Sequence, residues 1–158
     1  MNIGDYKLMI GANNSGKTNV IDALRIFYEK DLTFDKNRDF PNFPTTDKES
    51  WMDIEFVLAD DEYRNVKDEY KRPGKGLKVR KYFLTDRKGL EKKPKLGIYG
   101  FVGDVEADEH FYGAKNVQQG KLGDAIYVPA VSRLDDHTKF SGPSALRDLV
   151  NDVVKKLI

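Results

Sequence analysis

The chain has 158 residues, 39% of them hydrophobic and 34% charged, with a net charge of +1. That length suits one domain, or a domain with a subdomain, and is enough to bury a core. With no run of 18 apolar residues there is no membrane-spanning segment, and with no cysteine there are no disulfides, thiolate metal sites or cysteine nucleophile, which fits a cytoplasmic protein. No signal peptide is expected, because the N-terminus reaches a glycine loop too quickly. The two histidines, His110 and His137, lie far apart without ligand spacing and read as surface or turn residues, which argues against a zinc site.

Tyr6-Lys7-Leu8-Met9-Ile10 is a short, mostly apolar run that predicts a buried strand. It leads into GANNSGKTN, Gly11 to Asn19, which matches the phosphate-binding pattern G-x-x-x-x-G-K-[ST] with Gly11, Gly16, Lys17 and Thr18 at the fixed places. Glycine permits the tight turn that aims successive backbone N–H groups at phosphate oxygens. Lys17 supplies a cation for the β/γ-phosphates, and the Thr18 hydroxyl a ligand for Mg²⁺. At average residue usage the pattern arises by chance in roughly one chain in a few hundred of this length. Val20, Leu24 and Phe27 then fall at i, i+4 and i+7, with Ile21 and Ala23 widening the stripe, so a helix follows with its positive dipole end toward the same anion. Strand, glycine loop and helix in that order make Gly11, Asn13, Asn14, Ser15, Gly16, Lys17, Thr18 and Asn19 the candidate nucleotide site, with Thr18 the candidate metal ligand.

Residues 31–49 hold two prolines and no periodicity and read as a loop. Met52, Ile54, Phe56 and Leu58 alternate with Asp53 and Glu55, the pattern of a half-buried antiparallel strand. Residues 60–71 read as a short charged helix with Tyr63, Val66 and Tyr70 on one side, ended by Pro73-Gly74. Leu77–Leu84 and Lys95–Val102, with a turn at Asp86–Gly89, continue the sheet as a meander. Residues 103–123 carry no clear signal. Ala125–Pro129 reads as a buried strand, and Ser144–Ile158 as an amphipathic helix with Leu146, Leu149, Val150, Val153, Val154 and Leu157 at helical spacing. The expected organisation is residues 1–30 (strand, loop and helix), 50–123 (a mainly antiparallel β subdomain) and 124–158 (strand and helix).

Between Lys71 and Lys95 eleven basic residues face two acidic ones, a window of net +9 in a chain whose remainder is −8. Two readings stay open. Lys75, Lys78, Arg80 and Lys81 contact nucleic-acid phosphates, or the block is a solvated hairpin whose lysines protect sheet edges.

The asparagines at Asn13, Asn14 and Asn19, the Asp22–Arg25 helix, the antiparallel sheet and the AIYVPAVSRLDDHTKFS segment, Ala125–Ser141, together resemble the amino-terminal half of an ABC-type ATPase head of the SMC/RecF kind. The resemblance is nearest to the OLD (overcoming lysogenization defect) family of ATP-dependent endonucleases and its AAA-like relatives. It implies a P-loop NTPase fold of mixed α/β class with an antiparallel β subdomain, ATP and Mg²⁺ as cofactors, and a second ATPase head as partner. It also implies a parent protein that acts on DNA, often through a Toprim nuclease domain. Residues Asn13 to Thr18 would wrap the phosphates. No apolar run here ends in a paired Asp-Glu, no signature motif or Toprim-type acidic cluster is visible, and the family's upstream strand is absent or truncated at Met1 to Asp5. The place of the family's water-positioning glutamine holds Pro129 and Ala130, with Gln118 and Gln119 upstream and Arg133 and Asp135 downstream, so that role is unassigned. The expectation is binding of ATP·Mg²⁺ with little or no turnover by this chain alone. The rival expectation is a nucleic-acid-binding or assembly module whose nucleotide site is structural or vestigial.

Overall fold

The computed structural model describes residues 7–29, 31–88, 95–123 and 125–128, together with 150, 151 and 154. The chain divides into two compact units, Met1–Gly123 and Asp124–Ile158. In the first, helix α1 (Lys17–Tyr28) and a four-residue helix α2 (Lys36–Asp39) precede β1 (Ser50–Val57) and α3 (Asp60–Asn65). Two 3₁₀ turns, Asp68–Tyr70 and Pro73–Lys75, lead into β2 (Gly76–Leu84), β3 (Gly97–Val102), β4 (Val105–His110) and α4 (Ala114–Gln118). The fold class is mixed α/β, and its sheet is an antiparallel meander in the order β1-β2-β3-β4.

Register gives the sheet two chemically different faces, because directly paired residues point the same way. On one face Met52 pairs with Lys81, Ile54 with Val79 and Phe56 with Leu77, and Ile98 lies beside Lys81. On the other, Trp51 pairs with Tyr82, Asp53 with Arg80 and Glu55 with Lys78, and Tyr99 lies beside Arg80. The alternation of the sequence over 52–58 therefore becomes the apolar face as expected.

Helix α1 lies on that apolar face. Its burial is concentrated at one end: Ile26, Phe27 and Tyr28 are buried, whereas Val20 and Leu24, at the start and middle of the expected stripe, are half-buried. Phe27 is fully enclosed, a burial that contributes about 2–3 kcal/mol. The helix stops at Glu29, whose left-handed φ of 51° lets its N–H reach the Arg25 carbonyl at 2.9 Å.

Beneath β3 the apolar face is covered by aromatic rings. Tyr70 and Phe111 meet edge to face with centroids 5.2 Å apart, and both are buried. They approach the strand at Gly100, where an added Cβ would lie 2.6 Å from Tyr70 Cε1 and 2.9 Å from Phe111 Cδ2.

Several expectations change. Residues 7–10 form no strand, and Leu8 and Ile10 are 64% and 85% exposed. A strand exists only where a neighbour completes its ladder, and the described sheet offers residues 7–10 none. Residues 125–128 are likewise not in a strand; Pro129 and most of the expected 144–158 helix lie outside the described residues, although 150, 151 and 154 are helical. The 31–49 loop carries α2, capped where the Asp35 carboxylate accepts the Asn37 N–H at 2.8 Å. The charged helix ends at Asn65, because Val66 turns extended (ψ 137°) and carries its side chain into the core. Its start is secured by Glu62, which accepts the Ala59 N–H at 2.8 Å. The unassigned 103–123 stretch holds β4 and α4. A two-residue turn with Gly103 at φ +60° closes the β3–β4 hairpin between Val102 and Val105.

Gly100→Ala forces the Tyr70–Phe111 pair apart, and the expected cost is about 1–3 kcal/mol, read as a lower urea midpoint with an unchanged slope. An unchanged midpoint would refute the close-approach role of Gly100.

Candidate functional site

The glycine loop runs straight into α1. Asn14 has φ +62° and Gly16 φ +81°, with Ser15 between them on the negative side. Asparagine and glycine are the residues that adopt left-handed backbone most cheaply. Alternating the sign of φ turns successive N–H groups toward one side, the geometry of an anion-binding concavity. Gly16 also stands at the N-cap of α1; no side chain caps that end and no acidic residue sits in the first turn. The first-turn N–H groups are thus left without an intrahelical partner, at the positive end of the dipole.

The Lys17 side chain folds back over this concavity. Its Nζ donates to the Gly11 carbonyl at 2.8 Å, the Ala12 carbonyl at 2.6 Å and Ser15 Oγ at 3.2 Å. Gly11 is close-packed there, since a Cβ would lie 2.8 Å from Ser15 Oγ and 3.9 Å from Lys17 Nζ. Gly16 faces open space, so its need for glycine comes from φ alone. Asn13, Thr18 and Asn19 are exposed. Beside Asn19 a hollow of about 440 Å³ opens between Asp22, Phe34, Arg38 and Phe83. The candidate phosphate residues are therefore contiguous and surface-borne, and they lead into a helix start that no side chain caps, a set that fits an anion such as a nucleotide phosphate with Thr18 offering one hydroxyl to a cation.

The basic block is distributed quite differently. Lys75 pairs with Asp60 at 2.6 Å. Arg80 makes a two-pronged contact with Asp53 (2.5 and 2.9 Å), reaches Glu106 at 3.3 Å and stacks 3.8 Å over the Trp51 ring. Lys78 joins Asp53 at 3.2 Å and lies over Phe101, while Lys95 bonds Glu106 and covers Tyr99. Arg72 bridges Glu55 at 3.2 Å and Asp104 at 3.1 Å. Four cations, Arg72, Lys78, Arg80 and Lys95, thus meet four carboxylates, Asp53, Glu55, Asp104 and Glu106, so these described residues cancel one another's charge on this face. The partners were visible in the sequence, but only register brings Asp53 opposite Arg80.

Lys81 leaves that face altogether. It is 3% exposed, and its Nζ donates to the Phe27 carbonyl at 2.6 Å and pairs with Glu29 at 3.2 Å. A group so buried reaches no nucleic-acid backbone. Burial pushes its ammonium below the usual lysine value, and the Glu29 charge opposes that. Sequence reasoning missed this role, although the signal existed: Lys81 stands at an inward place of the alternation Leu77, Val79, Lys81, Phe83.

Two other candidates are found in contacts away from the loop. Gln118 donates to Glu29 at 3.3 Å, at the end of α1 remote from the loop. His110 lies against Gly97 with its Nε2 2.6 Å from the Leu96 carbonyl. His137, Arg133 and Asp135 fall outside the described residues, as does Ala130. Among the described residues no cluster of three His, Cys, Asp or Glu side chains forms a metal site, and no helix is long and apolar enough to cross a membrane.

Burial raises the Asp53 carboxyl, but hydrogen bonds from Arg80 and Lys78 outweigh it and hold the group below its ordinary 3.8. The stability it contributes is present above that value and is lost as pH falls through the lower folded value. Asp53→Asn should cost about 2 kcal/mol at neutral pH, and the gap to wild type should close as pH falls below 3.8. Urea midpoints across the acid range measure this; a gap independent of pH would contradict the ionic role.

No curated protein and no solved structure matches the chain significantly. A family model described as AAA ATPase domain matches residues 1–122, which span the glycine loop, α1 and the whole described sheet. That family points to nucleotide-binding ATPase function. The chain belongs to the AAA ATPase domain family.

Proposed function

We propose that the chain is the phosphate-gripping half of a P-loop ATPase head and binds ATP with Mg²⁺. The observation that carries this reading is the backbone of residues 11–19: left-handed Asn14 and Gly16, an uncapped helix start, and an ammonium stationed over the concavity on the loop's own carbonyls. In this reading the N–H groups from Asn13 to Thr18 surround the phosphates. Lys17 leaves the Gly11 and Ala12 carbonyls for β/γ-phosphate oxygens, and Thr18 offers its hydroxyl to Mg²⁺. Asn19 adds the last N–H of the first turn, and the adjoining hollow leaves room beside it. Bound ATP·Mg²⁺ supplies the transferable phosphoryl group and a divalent charge. Turnover further needs a carboxylate or amide that orients water in line; the apolar run Phe56–Ala59 leads into Asp60-Asp61-Glu62, but there Asp60 pairs with Lys75 and Glu62 accepts the Ala59 N–H at the start of α3. The chain alone therefore binds with little hydrolysis.

The resemblance to OLD-type and SMC/RecF-type heads carries the proposal further. A second head completes the nucleotide site, and the parent protein is an ATP-dependent DNA endonuclease or a DNA repair or defence ATPase. The rival reading, a nucleic-acid-binding or assembly module with a vestigial nucleotide site, rested on the 71–95 block. Ion pairing on the sheet removes most of that support.

Calorimetric titration of the chain with ATP·Mg²⁺ tests the reading. Wild type should bind. Lys17→Ala, which removes hydrogen bonds to a charged group, should weaken binding about tenfold to a hundredfold without changing thermal stability. Absent binding by wild type overturns the proposal. Hydrolysis by the isolated chain that Lys17→Ala abolishes would overturn the half-site part of it.

A further inference from the structure

The loop and its helix are held at opposite ends. The hydrogen bonds described for residues 11–17 all close within the loop: Ser15 N–H to the Ala12 carbonyl, and Lys17 to Gly11, Ala12 and Ser15. Nothing in that set fixes the loop to the sheet. The buried part of α1 is its last turn, Ile26, Phe27 and Tyr28. There the chain does something costly: it places an ammonium, Lys81, in a 3% exposed position on the apolar face. The Phe27 carbonyl is among the four at a helix end that lack an intrahelical donor, and it lies at the negative end of the dipole. Lys81 satisfies it at 2.6 Å and holds Glu29, just past the helix, at 3.2 Å. Gln118 of α4 reaches the same Glu29 at 3.3 Å.

We propose that Lys81 is a positioning residue for the phosphate loop: by holding the Phe27 carbonyl and Glu29 it fixes the axis of α1, and so the place of residues 11–19. The argument is one of leverage, and it rests on reading that loop as a nucleotide site. A 12-residue helix is a rod of about 18 Å, so a tilt of about 10° at its anchored end moves the loop by about 3 Å. Binding constellations tolerate about 0.5 Å. An apolar side chain at position 81 would fill the space yet leave the axis unpinned.

The test compares Lys81→Met, Lys81→Arg and Phe111→Leu, the last destabilising the sheet's aromatic cluster. Each is read by ATP·Mg²⁺ titration, thermal melting and amide hydrogen exchange. Lys81→Met should weaken nucleotide binding about tenfold or more and speed exchange in α1, Lys81→Arg should recover most of both, and Phe111→Leu should lower the melting temperature with affinity within about threefold of wild type. Equal affinity losses in Lys81→Met and Phe111→Leu, scaling with melting temperature alone, would overturn the proposal. If Lys81→Met does not fold, Glu29→Gln carries the same comparison with an expected loss of about tenfold, beyond the threefold band of Phe111→Leu, and a loss inside that band overturns it. If wild type binds no nucleotide, the proposed function fails separately. Exchange then decides the anchoring: unchanged protection of α1 in Lys81→Met sinks it, and selective loss of protection there upholds it.

Discussion

The seating of the α1 C-terminus on the sheet is the constraint on which the first unit depends. Burying a lysine ammonium is unfavourable, since it gives up hydration that a low-dielectric interior does not replace. What offsets the cost is a carbonyl that would otherwise be buried without a donor and a carboxylate just beyond it. Each group makes the other tolerable. Phe27 supplies the apolar burial of this joint and Lys81 its direction, because dispersion holds surfaces together whereas a charged hydrogen bond specifies which atoms meet.

The β2 strand shows how finely the sheet sorts similar residues. Arg80 and Lys81 are neighbours of like charge, yet one is stacked on Trp51 and clamped by Asp53, and the other is enclosed under the helix. A period of two decides this. The guanidinium suits the first place because its planar fork matches a carboxylate and an indole face together; the compact ammonium on its flexible stem suits the second. The hydrogen bond to Asp53 holds Arg80 firmly protonated, with burial opposing. A window of eleven basic residues therefore presents no continuous positive surface on the described sheet.

The glycine loop owes its shape to its own sequence. Its turn comes from Asn14 and Gly16, its closure from Lys17 and Ser15, and its orientation from the helix it begins. Such a local device is legible before any fold is known, because each residue acts on neighbours within a few positions. The meander was legible for the related reason that alternation records which face is buried. β4 was not: Val105-Glu-Ala-Asp-Glu-His is an edge strand with both faces largely wet, so nothing apolar marks its period. The 7–10 segment misled in the opposite direction, since apolar residues suggest a strand but a ladder partner makes one.

The sequence by itself determined the glycine loop, the helix after it and the alternation of β1, β2 and β3, because turn chemistry and side-chain period are properties of short stretches. Tertiary structure alone decided which cations are neutralised and which one is buried. That outcome depends on Asp53, Glu106 and the Phe27 carbonyl, groups 27, 26 and 54 residues away from their basic partners, and only the register of β1, β2 and β4 and the docking of α1 bring them within reach.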